Sequence, residues 1–363
     1  MQYVVWELTL ACDLACGHCG SRAGRPRPRE LSTDECLALV NELVAIGARE
    51  IALIGGEAYL RSDWTQIVRA IRAADIVCTL TTGGRGMTAE RARAAADAGI
   101  SSVSVSIDGV GATHDRQRGV IGAYAAALAA IANLVEAGVV VTVNSQINRI
   151  SAPELERVYE VIRARGARAW QVQLTVPAGR AADRPGWILQ PWQLLEVMPR
   201  LAALSRRGLV DGIAVHPGNN VGYFGADDVT LRGRGVDGSG YFEGCTAGDQ
   251  SIGIEADGTI KGCPALETAA YAGGNIRETP LRALLETRPL RYTRDRTVDA
   301  LWGFCRDCMY AETCRGGCTW TAHSLLGRPG NNPLCQHRAE EHQRKGLRER
   351  LVQVAPAPGT PFD

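Results

Sequence analysis

The chain has 363 residues, 45% of them hydrophobic, and its 40 basic and 39 acidic side chains leave a formal net charge of +1. This length suffices for a large α/β domain with a buried core and a smaller second domain. The interspersed charges predict neither a nucleic-acid-binding nor a membrane-binding surface. No stretch is long and apolar enough to cross a bilayer, and no secretory signal precedes the first apolar run, so we expect a cytoplasmic protein.

Apolar, β-branched runs alternate with helical patterns in the first half of the chain. Because strands that alternate with helices build a parallel sheet, and six units are too few for a closed eight-unit barrel, we predict an α/β fold with a partial (β/α)6 barrel. The active site of such a sheet lies at the carboxyl ends of its strands. The predicted strands are Tyr3–Leu10, Glu50–Ile54, Ile76–Thr81, Ile100–Ile107, Val139–Asn144 and Ala169–Val176. The predicted helices are Thr33–Ile46, Trp64–Ala74, Ala89–Ala98, Ala123–Ala137 and Pro153–Arg165.

The second half of the chain is less periodic. A Pro- and Gly-rich linker at 177–191 precedes a predicted helix at 192–207, and the glycine-rich residues 217–244 predict a loop. A hairpin is expected at Ile252–Lys261, with Asp257–Gly258 at its turn. A charged helix and a disordered tail from Pro356 are expected to close the chain. The predicted units are a barrel at 1–185, a bridging helix and Gly-rich segment at 186–240, a cysteine-rich domain at 241–340, and a helix and tail at 341–363.

The twelve cysteines are unusual for a cytoplasmic chain. Since disulfides are rare in a reducing compartment, closely spaced cysteines indicate metal or iron–sulfur ligation. Cys12, Cys16 and Cys19 form a C-x3-C-x2-C motif directly after the first strand. Three thiolates on one loop can hold three irons of a [4Fe–4S] cluster and leave the fourth iron open, although a zinc site remains the alternative.

This motif, after the first strand of a βα-repeat chain, resembles the radical S-adenosylmethionine (radical SAM) superfamily. The resemblance implies that S-adenosylmethionine binds the open iron and releases a 5′-deoxyadenosyl radical. His18 stands where relatives have an aromatic residue. Further matching motifs at the strand ends imply cofactor contacts, with Glu57 near the methionyl ammonium and Arg118 paired with the carboxylate. The expected cofactor-binding residues are Gly55, Gly56, Glu57, Thr82, Ser106, Asp108, Arg118, Asn144 and Gln146, and Gln171 and Gln173 are further candidates to line the site.

The downstream cysteines form a second pattern, C-x2-C-x5-C-x3-C, which starts at Cys305. It resembles the SPASM extension of radical SAM enzymes, which holds two auxiliary [4Fe–4S] clusters, so the resemblance implies three clusters in all. An outer cluster is then expected on Cys305, Cys308, Cys314 and Cys335, and an inner one on Cys245, Cys263 and Cys318. The inner cluster has an open iron or takes a ligand such as Glu243 or Asp249. A pair of zinc ribbons is the alternative, and Cys36 and Cys78 receive no role.

The resemblance extends to enzymes that modify ribosomally made peptides, by crosslinking, epimerisation, oxidation or excision. A small-molecule substrate and a non-catalytic iron–sulfur or zinc scaffold are the alternatives. The motifs identify no catalytic acid or base. The expected partners are a peptide substrate, an external electron donor of the flavodoxin or ferredoxin type, and a separate leader-binding protein, since the chain shows no room for its own leader-binding domain.

Overall fold

A computed structural model of the chain describes residues 1–233 and 240–355. Residues 234–239 of the predicted Gly-rich loop and the predicted tail from Pro356 lie outside the described residues. The framework is one ten-stranded sheet with the strand order β10-β9-β8-β1-β2-β3-β4-β5-β6-β7. Its strands are β1 (Tyr3–Glu7), β2 (Glu50–Ile54), β3 (Val77–Thr82), β4 (Ser102–Ser106), β5 (Val140–Ile147), β6 (Ala169–Leu174), β7 (Ala214–Pro217), β8 (Ser251–Ile254), β9 (Thr259–Lys261) and β10 (Ala272–Asn275).

Strands β1 to β7 are parallel neighbours in chain order, which confirms the predicted α/β fold with a parallel sheet. All six predicted strands are present, and β5 continues three residues beyond its predicted end to Ile147. The seventh strand, β7, was not predicted. It is only four residues long and contains His216 and Pro217, so it lacks the apolar run that marks the others.

Helices connect the strands of the sheet and follow its last strand. They are α1 (Thr33–Ala45), α2 (Trp64–Ala73), α3 (Ala89–Asp97), α4 (Ala112–Arg118), α5 (Ala123–Glu136), α6 (Leu155–Ala164), α7 (Leu194–Asp211), α8 (Asp228–Arg232), α9 (Thr268–Tyr271), α10 (Leu281–Leu284), α11 (Ala311–Cys314), α12 (Thr319–Leu326) and α13 (Gln336–Arg344). The sequence pattern locates the core helices because each of them buries one stripe of apolar side chains. In α2 this stripe consists of Trp64, Ile67, Val68 and Ile71.

Four helices differ from the predictions. The helix expected at 192–207 is α7, which runs on to Asp211 until Gly212 ends it in the left-handed region. The short helix α8 interrupts the segment predicted to be loop, and α4 was missed because its residues are mostly polar. The closing charged helix α13 begins at Gln336, five residues before the boundary expected at 341.

The predicted hairpin is confirmed as β8 and β9, which pair antiparallel. Its position in the sheet was not predicted: β8 pairs in parallel with β1, so the cysteine-rich half continues the same sheet. A buried ion network crosses this seam. Arg27 lies 2.8 Å from Glu7 and 3.4 Å from Glu255, and Lys261 lies 2.7 Å from Glu255. Two acids and two bases therefore neutralise one another where the two halves meet.

None of the helices in residues 1–233 and 240–355 has, by itself, the length and apolarity needed to span a membrane. The helices α4 and α5 reach those limits only jointly, and they are bent by 96° at the break between them. The side chains of Ala127, Ala130, Ile131 and Leu134 in α5 are fully buried against the core, as expected for a helix that covers a sheet.

We predict that Arg27→Ala lowers the free energy of unfolding by about 3–5 kcal/mol, because it leaves the buried carboxylate of Glu7 without its cation. Arg69→Ala, at an exposed position of α2, should change it by less than about 0.5 kcal/mol. Anaerobic urea unfolding followed by circular dichroism measures both. Equal midpoints for the two variants would show that the seam does not depend on this network.

Candidate active site and cysteine centres

The first cysteine loop leaves β1 and returns beside its own start. The amide of Cys12 donates to the carbonyl of Gly24 (3.2 Å), and the amide of Gly24 donates to the carbonyl of Leu10 (2.9 Å). The pKa of the Cys12 thiol is raised to about 12, mainly by burial, and negative charge on Glu57 and on the sulfurs of Cys16 and Cys19 contributes to that increase. The three sulfurs are therefore close enough to repel one another when ionised. This donor set fits a cationic metal centre, which favours thiolates over thiols.

Glycines at the ends of β2 and β3 let this loop approach the sheet. A Cβ atom on Gly56 would collide with the carbonyl oxygen of Ala11 and lie 2.7 Å from the Cβ of Cys12. A Cβ atom on Gly55 or Gly83 would also collide with neighbouring atoms. The family resemblance implies that Gly55 and Gly56 contact the cofactor. The structure shows that the pair accommodates the cysteine loop itself.

Glu57 lies buried at the end of β2, with 2% of its surface exposed. Its carboxylate accepts hydrogen bonds from the hydroxyl of Thr82 (2.6 Å) and the amide of Gly83 (2.7 Å). Ligand atoms of Glu57, Cys12 and Asp13 all lie within 4.8 Å of one another. Burial raises the pKa of Glu57 to about 7, so a cationic group bound here would offset the cost of burying its charge.

Asp108 and Arg118 form a buried ion pair behind the cysteine loop, with 2.7 Å between Oδ2 and Nη2. The same Asp108 oxygen lies 3.2 Å from Nε2 of His18, and Arg118 donates to the sulfur of Cys16 at 3.7 Å. Burial alone would raise the pKa of Asp108. The positive charges of Arg118 and the nearby histidines have the larger effect, and the pKa of Asp108 therefore lies below its usual value. Burial lowers the pKa of His18 to about 4. The family resemblance implies that Arg118 pairs with a methionyl carboxylate. In the structure Arg118 is already paired with Asp108 and also contacts Cys16.

The remaining candidates line the ends of β4, β5 and β6. The hydroxyl of Ser106 donates to Oδ1 of Asn144 (3.1 Å), and the amide of Gln146 donates to Oδ1 of Asp108 (2.8 Å). The side chain of Gln146 donates to that of Gln173 (3.2 Å). The strand-end polar residues therefore form two hydrogen-bonded groups along this rim of the sheet, one with Ser106 and one with Gln146. Gln171 is exposed.

The seven downstream cysteines fall into two electrostatic neighbourhoods. Burial raises the pKa of Cys263 to about 12, and its charged neighbours include Cys245 and Cys318. Burial also raises the pKa of Cys335, whose interacting thiolates are different ones, namely Cys305, Cys308 and Cys314. The electrostatic neighbours therefore form two groups, and the assignment of each group to one cluster stays a prediction.

Cys36 and Cys78 lie elsewhere. Cys36 is inside α1 and Cys78 is inside β3, and both pack into the main hydrophobic core. Burial raises the pKa of each thiol to about 12. Both environments suit a small, uncharged apolar side chain.

Tyr223, which no sequence motif indicated, connects the two downstream sets. Its hydroxyl accepts a hydrogen bond from the amide of Cys318 (3.3 Å), and its carbonyl lies 3.8 Å from the sulfur of Cys335. The ring is fully buried and packs edge-on against Phe242 at 4.6 Å. Its backbone adopts a φ of 79°, a conformation that no local sequence pattern indicates for tyrosine.

The predicted linker also contributes to the site. The guanidinium of Arg180 donates to the carbonyls of Cys16 (2.8 Å) and Ala23 (2.9 Å), which fixes the cysteine loop from outside. A Cβ atom on Gly179 would collide with the carbonyl oxygens of Cys19 and Gly20. We call residues 177–190 the covering segment, because they lie over the first cysteine loop.

A cavity of about 730 Å³ lies between the covering segment and the cysteine-rich half. Ala178 and Gly179 line it next to the first cysteine loop, and Leu266 and Trp320 line it near Cys263 and Cys318. The volume is within the range of ligand-binding cavities. Among the described residues, its charged lining consists of Glu267, Arg338, Glu349 and Arg350.

Two family models match the chain. Residues 6–148 match the radical SAM superfamily, and residues 245–309 match SPASM, an iron–sulfur cluster-binding domain. These two domains imply [4Fe–4S] clusters and S-adenosylmethionine as cofactors.

Curated relatives align over nearly the whole chain. The AdoMet-dependent heme synthase of Oleidesulfovibrio alaskensis is 30% identical, over 92% of this chain and 87% of that protein. Mycofactocin maturase MftC of Mycolicibacterium smegmatis is 30% identical, over 92% of this chain and 82% of that protein. The PqqA peptide cyclase of Ruegeria pomeroyi is 28% identical, over 94% and 89% respectively. Relatives of this similarity therefore include both heme synthases and peptide-modifying enzymes.

Solved structures share the fold. Native anSMEcpe with bound AdoMet has a TM-score of 0.74 at 16% identity, over 94% of this chain and 95% of that one. Streptococcus suis SuiB bound to S-adenosylmethionine has a TM-score of 0.69 at 15% identity, over 97% and 77% respectively. Together with the matching domains and the relatives at 30% identity, this fold establishes that the chain belongs to the radical SAM superfamily, as an enzyme with a SPASM domain.

Proposed function

We propose that this enzyme holds three [4Fe–4S] clusters and modifies a ribosomally synthesised peptide. The first cluster is assigned to Cys12, Cys16 and Cys19. The inner auxiliary cluster is assigned to Cys245, Cys263 and Cys318, and the outer one to Cys305, Cys308, Cys314 and Cys335. When bound, the first cluster and S-adenosylmethionine supply a 5′-deoxyadenosyl radical. The grouping of buried thiols into these three neighbourhoods supports the assignment.

The chain's own residues bind and orient the cofactor in this proposal. Glu57 offers a buried carboxylate to the methionyl ammonium, beside Thr82 and next to the glycines Gly55 and Gly56. Ser106, Asn144 and Gln146 present polar atoms along the rim. The pair of Asp108 and Arg118 places a positive charge at the sulfur of Cys16. We assign Arg118 to the cysteine loop as well as to the cofactor carboxylate.

The balanced charge of the cavity lining is the observation that supports a peptide substrate. Its lining holds two arginines, Arg338 and Arg350, and two glutamates, Glu267 and Glu349. Arg338 is already paired with Glu349 and also donates to the side chain of Asn331 (2.6 Å). A substrate with several carboxylates needs an excess of cations, because each desolvated carboxylate requires a partner. A balanced, partly apolar lining suits a peptide with few charges.

A tetrapyrrole substrate is the second candidate, because the relatives at 30% identity include heme synthases. A cavity of 730 Å³ has room for a molecule of that class. A non-catalytic scaffold is disfavoured, since the chain belongs to an enzyme superfamily and buries a carboxylate beside the first cysteine loop. A separate leader-binding protein and an external electron donor complete the proposal.

The cluster assignment predicts about twelve irons per chain after anaerobic reconstitution. Changing Cys12, Cys16 and Cys19 together to Ala should remove about a third of that iron and all cleavage of S-adenosylmethionine. Changing Cys36 and Cys78 to Ala is the matched control and should leave the iron content unchanged. Iron and zinc analysis measures both, and zinc without iron at the downstream cysteines would contradict the assignment.

The cofactor assignment predicts that Glu57→Gln weakens S-adenosylmethionine binding roughly tenfold to a hundredfold, because a hydrogen bond to a charged group contributes about 1.5–3 kcal/mol. Glu50→Gln changes the opposite end of the same strand and should leave the affinity intact. Equilibrium binding of the cofactor to the reconstituted enzyme measures both affinities. Wild-type affinity in Glu57→Gln would refute the role of this carboxylate.

The substrate assignment predicts a mass change on a short peptide encoded beside the enzyme, and none on a carboxylate-bearing iron tetrapyrrole. Trp320→Ala should slow the peptide reaction while 5′-deoxyadenosine still forms, because it alters the cavity and not the first cysteine loop. Trp192→Ala, a half-buried tryptophan outside this cavity, should have no such effect. Mass spectrometry of both substrates decides: conversion of the tetrapyrrole alone would establish the second candidate.

A further inference from the structure

Three arginines form a positive surface on the rim of the sheet. Arg116 lies in α4 after β4, Arg149 follows β5, and Arg184 follows β6. Because the carboxyl ends of parallel strands meet at one edge, these loops lie side by side. They line a shallow depression of about 530 Å³, which we call the arginine patch, and its lining consists of Arg116, Arg149, Ile150, Arg184, Gly186 and Trp187.

The arginines of the patch are not bound directly by acids, although the charge of Asp183 acts on Arg184. Within residues 1–233 and 240–355, Arg116, Arg149 and Arg184 form no ion pair, and Arg116 and Arg149 are exposed. Asp183, the acidic neighbour of Arg184 in sequence, is held by Arg22 through hydrogen bonds of 2.8 and 2.9 Å. The net charge of the whole chain is only +1, so this concentration of positive charge is a local feature of the rim.

An aromatic ring connects the patch to the first cysteine loop. The guanidinium groups of Arg116 and Arg184 lie 5.9 and 5.3 Å from the ring of Trp187. The same ring packs on Gly17, where an added Cβ would come within 2.6 Å of it. Arg184 also donates to the carbonyl of Gly17 (3.4 Å). Gly17 follows Cys16 directly, so the patch contacts the residue next to a cysteine assigned to the first cluster.

We propose that the arginine patch is the docking site of an acidic one-electron carrier protein that reduces the first cluster. The carrier is oxidised by one electron, the cluster is reduced by one electron, and no bond is formed or broken in the transfer. Arginine charge at the rim attracts the acidic face of the carrier and orients it over Trp187. The proposal rests on the cluster assigned to Cys12, Cys16 and Cys19. A nucleic-acid partner fits less well, because it gives no reason for contact with that loop.

The test compares two reductants on the reconstituted enzyme. A purified acidic flavodoxin, reduced by NADPH and its reductase, is the protein carrier, and dithionite is the small chemical reductant. The variant R116E/R149E reverses two exposed charges and leaves Arg184 in contact with Gly17. The control R69E/R93E makes the same charge change on α2 and α3, at two exposed positions.

With flavodoxin at low ionic strength, R116E/R149E should form 5′-deoxyadenosine at least about tenfold more slowly than wild type. With dithionite, R116E/R149E and wild type should form 5′-deoxyadenosine at equal rates. R69E/R93E should match the wild-type rate with both reductants. Added salt should slow the wild-type reaction with flavodoxin, because it screens exposed charges. Equal flavodoxin-driven rates in R116E/R149E and wild type would overturn the proposal, as would an equal loss in R69E/R93E or a loss with dithionite as well.

A binding measurement gives a readout independent of turnover. Calorimetric titration of oxidised flavodoxin into the reconstituted enzyme should show salt-dependent binding that R116E/R149E loses and R69E/R93E keeps. If single-stranded RNA binds the patch and flavodoxin does not, the patch serves nucleic acid and the proposal is overturned. If dithionite supports no cleavage even in wild type, the cluster assignment itself fails and the docking proposal fails with it.

Discussion

Burial of closely spaced cysteine sulfurs is the constraint on which this structure depends. Burial raises the pKa of Cys12, Cys263 and Cys314 to about 12, and neighbouring sulfurs add to the effect. A protonated thiol is a poor ligand, so sulfurs that converge in this way are stable as thiolates only beside a strongly positive ion. Cluster binding and the folding of the cysteine loops are therefore coupled. The folded loops bring the sulfurs together, and the bound cluster keeps those sulfurs ionised.

The loops converge because one sheet positions them. β1 lies in the middle of the sheet, between β2 and β8, and the first cysteine loop begins five residues after its end. The hairpin that leads to Cys263 starts with β8, which pairs with β1 from Tyr3 to Trp6. The distance between the first and inner cysteine sets is thus fixed by backbone hydrogen bonds and by the buried charges of the seam.

Periodicity predicted much of this arrangement, and its failures have physical causes. Strands such as Glu50–Ile54 were located because both of their faces are apolar. Helices such as α2 were located because one stripe of their surface is apolar. β7 and Tyr223 escaped, because tertiary contacts and not local pattern determine them. The split of the downstream cysteines came from the family resemblance, and their electrostatic neighbours agree with it. The ligand roles of individual residues stay predictions, since a sequence motif cannot show which sulfur faces which ion.

Under the proposed function, the covering segment keeps the side on which electrons enter apart from the side on which substrate binds. Its inner side, with Ala178, Ala182 and Ile188, lines the cavity, whereas its outer side presents Arg184 and Trp187 to solvent. Arg180 ties it to the carbonyl of Cys16. A radical in the cavity must be shielded from water and from external redox partners, yet the first cluster must receive electrons from outside. A short segment pressed against the cysteine loop meets both demands, since a carrier on its outer side approaches the cluster without entering the cavity.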